Sequence, residues 1–443
     1  MTVTKEQPTG LRLIFRALQY KNYRLYFAGQ SISLIGTWMQ RITVGWLVYR
    51  LTNSPFLLGV VGFSGQLPTF FAAPFAGALS DRWNRLRIIQ VTQYLAMAQA
   101  VILAILVLTD AVTVTHIIVL SAVLAVVNGF DMPVRQALTV DLVDRKEDLG
   151  NAIALNSSMF NAARLIGPSV AGILIATTGE GVCFLVNAFT YIPVILALRA
   201  MKMPPQRGGR KETHVLRELK EGFNYTFGFA PIKFIILLLA LISLVGMPYQ
   251  VLMPVFARDV FHGGPHTLGF LVGASGVGAL VGAFYMAARK SVRGLGRMIP
   301  ITTSVFGLGL IAFSISPSIW LSYFFVMVAG FGMIVQMASS NTVLQTIVED
   351  DKRGRVMSFY TMSFMGMVPF GSLVAGGLAG TIGAPNTLMI GGALSILGAL
   401  LFARRLPELR ALIRPIYVRK GIIQEVGLGV QDGAQFNVPR EGN

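Results

Sequence analysis

The chain has 443 residues, of which 54% are hydrophobic and only 13% charged, and its formal charge is +17. That composition excludes an ordinary soluble domain and points to a chain lying mostly in lipid. The basic excess is scattered over short loops instead of lining one face, so no nucleic-acid partner is expected. A helix needs roughly 20 residues to cross a hydrocarbon core about 30 Å thick. In chain order, such apolar runs occupy residues 25–50, 55–79, 87–109, 115–136, 150–177, 182–201, 231–257, 265–288, 297–316, 319–346, 356–381 and 385–403.

The connections between these runs alternate in charge. Lys5, Arg12, Arg16, Lys21 and Arg24 precede the first run or stand at its start. Arg82, Arg85 and Arg87 follow the second, and Arg145 and Lys146 follow the fourth. Basic residues return after the sixth, eighth, tenth and twelfth runs, whereas the connections near Asp110, Gly179, Pro317 and Gly383 contain none. Only Arg50 and Arg258 break the alternation. The positive-inside rule then predicts both termini and the central loop on the cytoplasmic side of the cell's inner (plasma) membrane. The first apolar run is long and lacks a small-residue cleavage site, which argues against a removed signal peptide. Cys183 stands alone, so no intrachain disulfide is expected.

The polar stretch MPPQRGGRKETH, Met203 to His214, divides the chain near its middle. After it, Leu216, Leu219 and Phe223 at helical spacing predict a short helix, lying on the membrane surface or forming a solvated linker. The expected organisation is a six-helix bundle over 1–202, a linker over 203–229, a second six-helix bundle over 230–405 and a cytoplasmic tail over 406–443. The halves repeat: NGFDM (Asn128–Met132) resembles AGFGM (Ala329–Met333), and VAGILIATTG (Val170–Gly179) aligns with VAGGLAGTIG (Val374–Gly383). Six spans, a linker and six similar spans form a parallel repeat, the arrangement of transporters that rock two bundles about a central site. A duplicated scaffold would repeat in the same way, but it has no need of buried charges.

Between the second and third runs the chain reads GALSDRWNRLR, and in the fifth Gly167-Pro168 is followed by Gly172. The first stretch resembles the signature loop of the major facilitator superfamily, with Gly77, Asp81, Arg82, Arg85 and Arg87 at its small and charged positions. The second resembles that superfamily's antiporter motif, here a helix-packing element. The N-terminal stretch KNYRLYFAGQSISLIGTWMQRITVGWLVYRLT is similar to the subfamily of the bacterial enterobactin exporter and its drug-efflux relatives. The resemblance implies an all-α membrane protein of twelve transmembrane helices in two six-helix bundles. It also implies a gating latch in which Asp81 pairs with Arg135 and with the start of the eleventh run near Arg355–Met357. Asn84 replaces the usual glycine of the loop, and its tolerance of left-handed backbone would preserve the turn. The second-half counterpart, MAARKSVRGLGRM, lacks the acid. The three arginines also fit headgroup anchoring, or topology signalling alone.

Charges at membrane depth are costly, from about 2.5 kcal/mol upward each, so those present are functional candidates. Asp131 is the one acid clearly inside a run, and Asn128, Asp131 and Arg135 share a helical face. The pair Asp131 and Arg135 reads either as a proton-coupling site or as a structural ion pair. Arg41 shares a face with Thr37 and Gln30, and Arg164 shares one with Asn161, which makes these five candidates for the substrate cavity. In the second half the candidates are neutral: Tyr249, Gln250, Gln336 and Asn341.

Other chemistry is poorly signalled. GPSVA at Gly167–Ala171 has no histidine near Ser169, Gly276, Gly278 and Gly282 form no dinucleotide fingerprint, and no phosphate loop or metal-ligand cluster is present. The chain is therefore not expected to be an enzyme or to carry a cofactor. The expected function is secondary active export of a small amphipathic or siderophore-like compound, with a proton as the coupling ion and the lipid bilayer as its surroundings. Import by a facilitator, lysophospholipid transport, or a non-transporting membrane sensor or partner-binding protein are the alternatives.

Overall fold

The computed structural model describes residues 15–80, 83–201, 215–289 and 291–423, and among them the regular structure is helical throughout. The helices are α1 (Lys21–Thr52), α2 (Pro55–Ser64), α3 (Leu67–Ser80), α4 (Arg85–Leu108), α5 (Val114–Asp141), α6 (Lys146–Thr178) and α7 (Glu180–Ala200). After the linker come α8 (Val215–Gly228), α9 (Ala230–Val245), α10 (Tyr249–Val255), α11 (Pro265–Ala288), α12 (Leu295–Ile315), α13 (Ile319–Ile347), α14 (Arg353–Ile382) and α15 (Ala384–Arg419). Eleven spans among the described residues are long and apolar enough to cross a membrane, and α1 is long enough but more polar than the others. The protein is a multi-pass membrane protein.

Two of the expected continuous runs are broken. The second divides at Gly65-Gln66 into α2 and α3. The seventh stops at Gly246, resumes at Tyr249 after Pro248, and ends in a π-turn over Phe256–Val260, just beyond Pro254. Proline removes a backbone donor and crowds the preceding turn, so the break falls where the residue dictates. The helix ends also follow the sequence. Ser54 caps α2 with Pro55 at its first position, and Thr113 with His116 forms a capping box on α5. Gly179 and Gly383, the last residues of the repeated decapeptides, adopt φ of 87° and 85° and end α6 and α14 in the same manner.

The helices pack as two bundles, α1–α7 and α9–α15, with α8 lying against α14 and α9. The bundles meet along two seams where backbones nearly touch, α2 on α14 and α6 on α11. A Cβ at Gly59 would sit 2.5 Å from the Ser372 carbonyl oxygen, and one at Gly172 would sit 2.8 Å from that of Pro265. Both seams lie toward the end away from the termini, here called the far end. Toward the basic end, where the termini lie, α6 turns Ile153, Ser157 and Phe160 outward as exposed residues, and the bundles part. The twelfth span also departs from expectation, since α15 continues as helix from 403 to Arg419 and includes what was read as tail. At 1.5 Å per residue its 36 residues measure about 54 Å, well beyond a 30 Å core.

Candidate functional site

On α1, Arg41, Gly45 and Tyr49 recur every fourth residue and so share one face. Gly45 marks that face as the one turned to the second bundle, because a Cβ there would lie 3.5 Å from Pro254. Tyr49 completes the closure at the far end: its hydroxyl donates to the Asp259 carboxylate, and Arg258 Nη1 donates to the Tyr49 carbonyl at 3.4 Å. Beside this latch, Arg50 pairs with Glu180 of α7 at 2.6 Å. The two cations that broke the charge alternation are thus each fixed to partners at the far end. Sequence reading noted them as exceptions without seeing those partners.

About two turns below the closure, Arg41 remains solvent-accessible although it lies mid-helix. Its guanidinium stands 4.8 Å from the Trp38 ring centroid, and that of Arg164 on α6 stands 5.9 Å from the same ring. Neither arginine has an ion-pair partner among the described residues. Trp38, which the sequence did not single out, is held by Gly167, where a Cβ would come within 2.6 Å of the Trp38 Cβ. Gly167 therefore sets how close α6 approaches α1. Pro168 and Gly172 line the other face of α6, against Gly269 and Pro265 of α11. Asn161 and Thr37 stay half-buried and bond back to their own helices, at 2.9 Å to Ser157 and 2.9 Å to Ser33.

A second charged group lies deeper in the first bundle. Asp131, 7% exposed, receives two hydrogen bonds from Arg135, Nε at 2.7 Å and Nη2 at 2.8 Å. It also accepts from Thr92 Oγ1 at 2.7 Å and Gln93 Nε2 at 2.9 Å. Arg135 donates in addition to Gln30, and the Tyr26 ring lies 5.9 Å from its guanidinium. Four hydrogen bonds, two of them from the bidentate Arg135, satisfy the carboxylate, which offsets the cost of burying it.

Several expected cavity residues lie elsewhere. Gln30 is buried and belongs to the Asp131–Arg135 cluster. Tyr249 is 1% exposed and bonded to Ser275 at 2.6 Å, inside the second bundle, with Gln250 beside it. Gln336 is buried and donates to Ser340 at 3.1 Å. Each has a side chain that can reach a partner inside its own bundle, and burial there outweighs display to a cavity. Asn341 stays half-buried near the basic end of α13, bonded to Gln345. Helical spacing also missed a buried chain of amides, Gln40 to Gln99 at 2.8 Å and Asn187 to Gln40, joining α1, α4 and α7. Its signal, lone glutamines and asparagines within apolar runs, is visible in the sequence.

Gly77 lies in α3, while Asp81 and Arg82 fall outside the described residues. Asn84 is not left-handed as expected. Its φ of −65° and ψ of 115° are extended, and its side chain accepts from the Arg87 amide at 3.2 Å to cap α4. Arg85 pairs with Asp141 at 2.9 Å, tying α4 to the end of α5. Of the proposed latch partners, Arg135 is held by Asp131, and Arg355 pairs at 3.0 Å with Glu221 of α8. Edge-on packing of Phe223 and Phe227 against Phe359 seats α8 further against α14. The N-terminal segment is anchored similarly. Asp148 at the start of α6 pairs with Arg16 and accepts from Tyr20 at 2.6 Å; burial and then that bond push the Tyr20 phenol above its ordinary pKa.

The Staphyloferrin A transporter of Staphylococcus aureus is 25% identical over 387 residues, covering 86% of this chain and 95% of that protein. The multidrug efflux pump Tap of Mycolicibacterium fortuitum is 28% identical over 429 residues, covering 93% and 98%. Among solved structures, a bacterial homologue of the iron transporter ferroportin in an inward-facing state matches with a TM-score of 0.66 at 15% identity, over 90% of this chain and 99% of that one. The model of the transmembrane secretion effector family matches residues 14–416. The chain belongs to that family, and it is a transporter of the major facilitator superfamily and not an enzyme.

Proposed function

We propose that the protein exports a small amphipathic compound across the cell's plasma membrane in exchange for protons, with both termini in the cytoplasm. The observation that carries the reading is the pair Arg41 and Arg164 over Trp38, accessible, without acid partners and just beneath a closed far end. Two cations held beside a largely buried indole place fixed charge next to an apolar wall, as an amphipathic substrate requires. Opening toward the basic end alone is one half of an alternating-access cycle; parting of Tyr49 from Asp259, with closure at the other end, would complete it. The bacterial relatives named as a multidrug efflux pump and a Staphyloferrin A transporter support small-molecule transport, and the basic loops support the orientation.

Coupling is assigned to Asp131 and Arg135. Arginine stays protonated, so the carboxylate must be the group that exchanges a proton. In the present state it is ion-paired with Arg135; separation of the two in another state would leave the carboxylate free to exchange a proton. Efflux of fluorescent amphipathic dyes from proteoliposomes with an imposed pH gradient tests the reading. Arg41→Gln and Arg164→Gln are expected to cut gradient-driven export at least tenfold while the protein stays folded. No gradient-dependent movement of any dye by the parent protein, or full export by both variants, would overturn it.

A further inference from the structure

The basic-end face of the second bundle holds a cavity of about 390 Å³ between α9, α12 and the extension of α15. Four guanidinium-bearing residues line it: Arg293 and Arg297 from the start of α12 and the loop before it, and Arg410 and Arg414 one turn apart on α15. No acidic residue lines the cavity, and none of the four has an ion-pair partner among the described residues. Arg297 and Arg410 lie within electrostatic reach of each other. Arg297 also sits in the first turn of a helix, where a cation is disfavoured. Elsewhere on this surface arginines have found carboxylates: Arg85 has Asp141, Arg355 has Glu221 and Arg405 has Glu408. Four cations lining one cavity with no carboxylate among its walls make a site suited to an anion from outside the chain.

The remaining walls are apolar, with Ile235, Ile299, Phe402, Leu406 and Ile413 beneath the charges. A hydrophilic anion in water would gain nothing from such walls, whereas a lipid carries phosphate and acyl chain in one molecule. The cavity lies along α15 from Phe402 to Tyr417, where the apolar run ends and headgroups are expected. We infer that this cavity binds an anionic phospholipid, its phosphate among Arg293, Arg297, Arg410 and Arg414 and its acyl chain along Phe402 and Leu406. Docked there, the lipid bridges α12 to the α15 extension and anchors the second bundle at the basic end. The inference does not depend on the transport reading.

Thermal unfolding of the purified full-length protein in neutral detergent tests it, with phosphatidylglycerol, phosphatidylcholine or sodium phosphate added at equal phosphate concentration. Phosphatidylglycerol is expected to raise the midpoint by about 4 °C, and the other two by under about 1 °C. Arg297→Gln with Arg410→Gln should remove more than half of that shift, while Arg404→Gln, outside the cavity, should keep it. Equal shifts from phosphatidylcholine would mean general lipid solvation, and equal shifts from sodium phosphate would mean an anion site only; either overturns the inference. So does a full shift in the double variant. Should that variant fail to fold, the three-ligand comparison on the parent decides alone.

Discussion

Asp131 and Arg135 of the first bundle occupy, in the repeat, the places that Gly332 and Gln336 hold in the second. In the first bundle the pair draws Thr92 and Gln93 of α4 and Gln30 of α1 into one buried charged cluster. In the second the glycine lets α13 and α12 touch directly: a Cβ at Gly332 would lie 2.7 Å from the Phe306 amide nitrogen and 2.8 Å from the Thr302 carbonyl oxygen. The contrast holds across the halves. Asp131, Asp148 and Glu180 are buried in the first, and the buried polar residues of the second are neutral amides, hydroxyls and phenols. One fold thus carries two interiors, one organised around an ion pair and one around close backbone packing. The proposed coupling belongs to the first, and a rigid partner against which it moves fits the second.

The largest effect should come from forcing one interior on the other. Gly332→Asp adds both atoms that collide with backbone and a charge without a partner, so loss of folded protein is expected, by about 4 kcal/mol or more. The yield of monodisperse protein by size exclusion reports it, and a normal yield would deny that the second interior is closely packed. Next, Asp131→Ala strands Arg135 and should cost about 3–5 kcal/mol in thermal unfolding, whereas Asp131→Leu with Arg135→Leu should recover most of it. Equal destabilisation by the single and double changes would mean that the two do not act as a pair.

How much of this was visible beforehand depends on the range of the interaction. The apolar runs, the midpoint break, the repeat and the Asp131–Arg135 pair are local patterns, and the residues four apart on α5 meet because a helix puts them there. The latch joins Tyr49 to Asp259 across 210 positions, and no local period encodes it. Its traces were the misplaced Arg50 and Arg258. Tyr249 and Gln336 were read as cavity residues because polar side chains in apolar runs look alike whether they face a cavity or a neighbour. For Tyr249 the position of Ser275 on another helix decides between the two, and for Gln336, whose partner Ser340 lies one turn on in its own helix, the packing around α13 decides. The α8 helix was legible, but its seat on Phe359 and Arg355 needed the fold.

Smaller changes sharpen the contrast. Tyr49→Phe removes a hydrogen bond to a carboxylate worth about 1.5–3 kcal/mol and should shift the far end toward open by roughly tenfold or more. Distances between spin labels at Thr178 and Asn386 would show it, and an unchanged distribution would deny the latch. Least of all, Gln336→Leu should alter stability by about 1 kcal/mol at most, because the Gln336 Oε1 already lacks a hydrogen-bond partner among the described residues. A loss of several kcal/mol in thermal unfolding would place a working polar group in the second interior.

The central claim, that the ionised interior of the first bundle carries the coupling, meets its most direct test in proteoliposomes containing Asp131→Asn. Asparagine keeps the volume and the neutral hydrogen bonds but cannot exchange a proton at neutral pH. The account predicts that an imposed pH gradient no longer concentrates the dye, while downhill exchange of dye across the same vesicles stays within about twofold of the parent. A variant that still concentrates dye against its gradient as the parent does would contradict it.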